Sequence, residues 1–139
     1  MASSSRFALG VHVLVALTLR GEVMASDELA ASVNTNPAFL RQLIGRLREA
    51  GLVASKLGTG GGALLARPAE TITLDEIYRA TEARPIVALH RSEPHPGCLV
   101  GRNIVPVLEG VLDRAEGALL EELRRVSVAD LARRVCERG

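Results

Sequence analysis

At 139 residues the chain has room for one small domain, or for a small domain with an extension. Hydrophobic residues make up 47% of it, yet it has no Trp, one Tyr and two Phe, so its core must be built from Leu, Val and Ala. Two cysteines exclude a disulfide framework, and a net charge of +1 excludes a strongly basic coat. That charge is unevenly placed. Residues 1–68 hold seven basic and four acidic side chains, a net +3, which leaves −2 for the remainder. A modestly basic amino-terminal half suits contact with phosphates.

The chain opens with Ser3 to Ser5, which can cap a first helix running to about Leu19. This helix is apolar nearly all round, as expected of one packed between other elements. Arg6 at its start is placed to touch a phosphate, and His12 reads as a core or interface histidine. The stretch also has the outline of a secretion signal. His12 interrupts its apolar run and Arg20 and Glu22 follow it, so a cytoplasmic protein is the expectation. Residues 7–19 are too short to span a bilayer, and no membrane association is expected.

Ser26 is expected to cap a short helix with Leu29, Ala30 and Val33 inward and Asp27 and Glu28 in its first turn. Asn34-Thr35-Asn36 is turn chemistry. Pro37 then suits the first position of a second helix capped by Thr35 or Asn36. Leu40, Leu43, Ile44 and Leu47 follow helical spacing and form its buried stripe. The opposite face carries Ala38, Arg41, Gln42, Gly45 and Glu49, flanked by Arg46 and Arg48. Gly51 stops the helix in the left-handed conformation. Val53 to Lys56 and Ala63 to Ala66 read as strands joined by Gly58-Thr59-Gly60-Gly61-Gly62.

Helix, turn, helix and a glycine-tipped ribbon make a winged helix-turn-helix, and this order points to DNA. A helix fits the major groove, where Arg pairs bidentately with guanine and Gln with adenine. Arg41, Gln42 and Asn36 are the candidate base readers, with Pro37 and Ala38 beside them. The amino terminus of the second helix is expected to offer backbone N–H groups to a phosphate. Arg46, Arg48, Lys56 and Thr59 are candidate phosphate contacts, and Gly60 lets the wing tip enter or skirt the minor groove. Gly45 either admits the duplex or serves a close helix crossing.

Beyond the wing, Arg67-Pro68 closes the ribbon. Thr73 and Glu76 make a capping box that opens a helix with Ile77 and Ala80 inward, fading by Pro85. Residues 84–102 are rich in Pro and Gly and read as a loop, with Ile86 to Leu89 extended or locally packed. His90, His95 and Cys98 in it are donors at a spacing common by chance, and no metal is expected. A long helix follows from about Asn103 to Arg125 with Pro106 in its first turn. Ile104, Leu108, Val111, Leu112, Ala115, Leu119 and Leu123 keep a stripe along it that one small domain cannot cover. A partner helix from a second copy is the economical solution. Ser127 and Asp130 cap a last helix through Leu131 and Val135, expected to tuck against the long helix or the first.

The fold class is therefore mainly α with a small β-wing. Residues 1–82 form the DNA-binding domain, 83–102 a loop with a possible sensor thiol at Cys98, and 103–139 the dimerisation helix and a C-terminal helix. The leading function is a sequence-specific DNA-binding regulator acting as a homodimeric repressor. The alternative is a winged-helix module that binds only proteins. No nucleophile–base pair is present, and the glycine tip lacks the Gly-Lys-Ser/Thr of a nucleotide loop, so no enzyme is expected.

With these residues placed, the chain resembles the Rrf-two family of bacterial winged-helix regulators, which includes iron–sulfur cluster, nitric-oxide and cysteine-metabolism regulators. The resemblance rests on Arg6-Phe7-Ala8, Asn36-Pro37, Leu40-Arg41, the run Leu47 to Val53, Gly58 to Gly62, Leu65 to Pro68, Thr71 to Leu74 and Tyr78 to Ala80. It implies a DNA-binding homodimer whose long helix crosses between subunits. Cluster-bearing members use three cysteines in the loop before that helix. This loop offers only Cys98, and a cluster normally takes four ligands, so no cofactor is expected. The residues around Cys98 look like the cluster-free, YwnA-like branch, in which a lone thiol is a redox switch or an inert side chain. A small molecule or an oxidant is the effector this implies.

Overall fold

The computed structural model describes residues 4–139; Ser3, read above as part of the first cap, lies outside them. Among the described residues the order is α1 (Arg6–Arg20), α2 (Ser26–Val33), α3 (Pro37–Glu49), β1 (Val53–Lys56), β2 (Gly62–Leu65), a 3₁₀ turn (Ala69–Thr71), α4 (Leu74–Thr81), α5 (Leu99–Arg124) and α6 (Val128–Arg138). The strands pair antiparallel, from Val53 opposite Leu65 to Lys56 opposite Gly62. The winged helix-turn-helix read from the sequence is present.

Helix α1 is the centre of the core. Val13, Leu14 and Leu17 are at most 2% exposed, so the run with the outline of a secretion signal is the protein's buried axis. It is packed by α2, α4 and α6. Gly10 makes the α4 crossing possible, since a Cβ there would stand 3.0 Å from Thr81 Cγ2 and 3.2 Å from Ile77 Cγ2. Leu29, Leu40, Leu43, Leu47, Ile72 and Ile77 fill the space around it, each a full burial of about 1.5–3 kcal/mol. Helix α6 adds Val128 and Ala132 to this same core, so it packs on the first helix.

Two helix starts differ from expectation. Ala25, not Ser26, is the N-cap of α2. Met24 pairs with Ala63 through two 2.9 Å backbone bonds, which holds Ala25 extended (φ −66°, ψ 149°) and starts the helix one residue early. Helix α5 starts at Leu99, inside the stretch expected as loop. A turn precedes it: the Gly97 N–H donates to His95 Nδ1 at 2.8 Å and the Cys98 N–H to the His95 carbonyl at 3.2 Å. Pro106 therefore lies inside the helix rather than in its first turn. It deprives the Arg102 carbonyl of its helical donor, but both residues are exposed and water can replace that bond.

The second helix of the motif ends as read. Gly51 takes φ 76° just after Ala50, and its N–H reaches the Arg48 carbonyl at 2.9 Å. No helix is long and apolar enough to cross a membrane among the described residues.

Candidate nucleic-acid interface

The exposed face of α3 begins at Asn36, which caps the helix. Its Oδ1 accepts from the Ala38 N–H at 2.8 Å and the Phe39 N–H at 3.3 Å, and its carbonyl accepts from Leu40. Pro37 has no N–H to give. The backbone donors of the first turn are thus engaged by Asn36. Asn36 keeps its amide NH₂ for an outside acceptor and fixes the helix start for the residues that follow.

Ala38, Arg41 and Gln42 are all exposed, on the side away from buried Leu40, Leu43, Ile44 and Leu47. At Gly45 an added Cβ would meet only the Arg48 guanidinium, at 3.9 Å. No helix of the described residues crosses there, so of the two readings of Gly45 the intramolecular one falls away.

The flanking arginines are partly committed. Arg46 is half-buried and donates to the Thr81 carbonyl at 3.4 Å, at the carboxyl end of α4 where a cation is favoured. It braces α3 against α4, and the remainder of its guanidinium is what is left for a phosphate. Arg48 donates to Ser55 Oγ at 2.8 Å and so ties α3 to the first wing strand. Lys56, Thr59 and Gly60 are exposed at the end of β1 and in the tip, with Gly60 at φ 75°. Arg6 stands elsewhere, half-buried at the start of α1; the next N–H, of Phe7, donates to Glu82 Oε1 at 3.2 Å. Phe7 and Tyr78 meet edge-to-face at 5.9 Å, which locks that corner.

Two wing residues were missed. Ser55 anchors Arg48, and no periodicity relates a helix residue to a strand residue. Leu57 is 90% exposed beside the tip, visible in the sequence only as an apolar residue in a turn.

The expected dimerisation stripe divides in two. Leu123 packs against the core of its own chain, and Leu112 and Leu119 are half-buried. Val111 is 48% exposed and Ala115 is exposed, with Ile104 and Leu108 half-buried beside them. Val107 (63%) and Val100 (63%) extend this open side toward the amino end, and α5 has no fully buried residue. His12 Nε2 lies 3.1 Å from Ser32 Oγ and faces an apolar groove between α1 and α6.

Cys98 is exposed at the N-cap of α5, and Cys136 is exposed on α6. The described residues bring no three His, Cys, Asp or Glu side chains to one point.

Residues 3–134 match the family described as "Rrf2: Iron-dependent Transcriptional regulator". The chain is 33% identical over 128 residues to YwnA of Bacillus subtilis (strain 168), provisionally named an HTH-type transcriptional regulator, covering 92% of this chain and 95% of YwnA. It is 34% identical over 103 residues to the HTH-type transcriptional regulator IscR of Cereibacter sphaeroides (strain ATCC 17023), covering 73% of this chain and 66% of IscR. The crystal structure of CymR from Staphylococcus aureus superposes with a TM-score of 0.68 at 28% identity, covering 93% of this chain and 96% of CymR. The chain belongs to the Rrf2 (Rrf-two) family, as a transcriptional regulator and not an enzyme.

Proposed function

We propose that the protein is a homodimer that reads a palindromic stretch of double-stranded DNA and represses transcription there. The open face of α3 carries this reading: Arg41 and Gln42 project from a rigidly capped helix, and Gly45 leaves room for a duplex to approach. Arg41 reads guanine, Gln42 reads adenine, and Lys56 with the tip residues holds the backbone beside them. The open side of α5 pairs with the same side of a second copy about a two-fold axis. Two heads so joined engage half-sites about 34–36 Å apart, one helical turn of DNA.

In this reading the regulator works in the cytoplasm without a metal or cluster. Oxidation of the exposed Cys98 thiol, or a small effector, sets its affinity for DNA.

The test is selection of bound duplexes from a random-sequence pool, followed by titration of the enriched sequence. An inverted repeat bound by the wild type and lost in Arg41→Ala supports the reading. No enrichment of any sequence would overturn it.

A further inference from the structure

One feature of the fold is left unused by DNA reading. The irregular segment at residues 85–89 does not lie flat on α5 but stands off from it, leaving a cavity of about 730 Å³. That is the size of a drug-sized ligand site. Ile86, Val87, Leu89, Leu112 and Ala115 give it apolar walls, and Ala115 sets it at the edge of the side of α5 assigned to a second copy.

Its polar groups are all of one sign. Glu109, Asp113 and Glu116 line it, spaced by four and three residues and so on one face of α5. No Arg, Lys or His is among the lining residues. Glu116 faces Tyr78 of α4, whereas Glu109 and Asp113 form no ion pair among the described residues. An open, largely apolar groove with two exposed carboxylates at its rim favours a cation with a hydrophobic body over an anion.

We infer that this cavity binds a lipophilic organic cation. Binding itself stands apart from the DNA reading; only its consequence for DNA affinity rests on that reading. The consequence follows from position, because the ligand would sit between the end of the reading head and the middle of α5.

Tetraphenylphosphonium and tetraphenylborate test this, as ions of the same shape and opposite charge. Calorimetric titration of the full chain should give a dissociation constant for the cation about tenfold or more below that for the anion. The paired substitution Glu109→Gln/Asp113→Asn should abolish that preference with the circular dichroism unchanged. Val87→Lys, an exposed change on the other wall, should weaken the cation about tenfold without touching the carboxylates. Equal binding of the two ions, binding of neither, or a preference that survives these substitutions would overturn the inference. Cation binding by a protein that enriches no DNA sequence would leave the cavity intact and defeat only the reading above.

Discussion

Thr73 and Ser127 pair as an isolated antiparallel bridge, so the two helix starts marked by capping boxes lie side by side. The Leu74 N–H donates to the Val126 carbonyl at 3.0 Å and the Val128 N–H to the Ile72 carbonyl at 2.8 Å. This clamp fixes the carboxyl end of α5 to the reading head and leaves its amino end projecting. Removing one cap, Ser127→Ala, should cost about 0.5–2 kcal/mol of stability. Because the two boxes adjoin, Thr73→Ala and Ser127→Ala should not be additive. Urea unfolding of the single and double variants measures both effects.

The same clamp should weaken in acid. Burial alone would raise the Glu76 carboxyl, but hydrogen bonds from Arg67 and Thr73 outweigh it and hold it below the ordinary 4.5. Bonds from the Ser127 N–H and hydroxyl, then Arg133, hold Asp130 below 3.8. A depressed folded pKa contributes stability that is complete above the unfolded value and lost as pH falls through the folded one. Thermal midpoints should therefore drop from about pH 4.5 downward, and less steeply in Glu76→Gln.

On DNA, Arg41→Ala should cost about 1–3 kcal/mol at one base position and relax the preference there. Lys56→Ala should weaken all sequences alike and lower the salt slope by about one. Binding isotherms on single-base operator variants at several salt concentrations separate the two. A uniform loss for Arg41→Ala would refute base reading by that residue.

The exposed side of α5 predicts the oligomer. Val107→Asp with Val111→Asp puts carboxylates where a second copy should pack, and should give monomers by analytical ultracentrifugation with the helical signal kept. Monomers should also bind a single half-site far more weakly than the dimer binds its palindrome. A wild type that is monomeric at micromolar concentration would refute the dimer.

The proposed redox response is assigned to Cys98, one of two exposed thiols. Peroxide or hypochlorite should change the DNA affinity of the wild type, and Cys98→Ser should show no change. Equal affinities under all four conditions would end the redox role.

Local chemistry made much of this legible. Asn36-Pro37 and Gly51 bracket α3 because a cap, a fixed φ and a left-handed stop each act within a few residues. Both capping boxes read out for the same reason. What stayed hidden depends on residues far apart in the chain. Ala25 replaces Ser26 as a cap because Met24 pairs with Ala63, and Arg46 turns to Thr81 because α4 happens to end there. The start of α5 was missed because a His95–Gly97 turn delivers the chain to Leu99 through a stretch whose prolines argued for loop. Nor could spacing alone say that the stripe on α5 would split between its own core and an open side.

Fastened at its carboxyl end and packed against α4, α5 forms an arm on the reading head. Its 26 residues span roughly 39 Å at 1.5 Å each. A tilt of about 5° at the clamp displaces the far end by about 3 Å, close to one base-pair step. A tilt of that size would be enough to put anything mounted at the tip of this arm out of register with a duplex bound by α3.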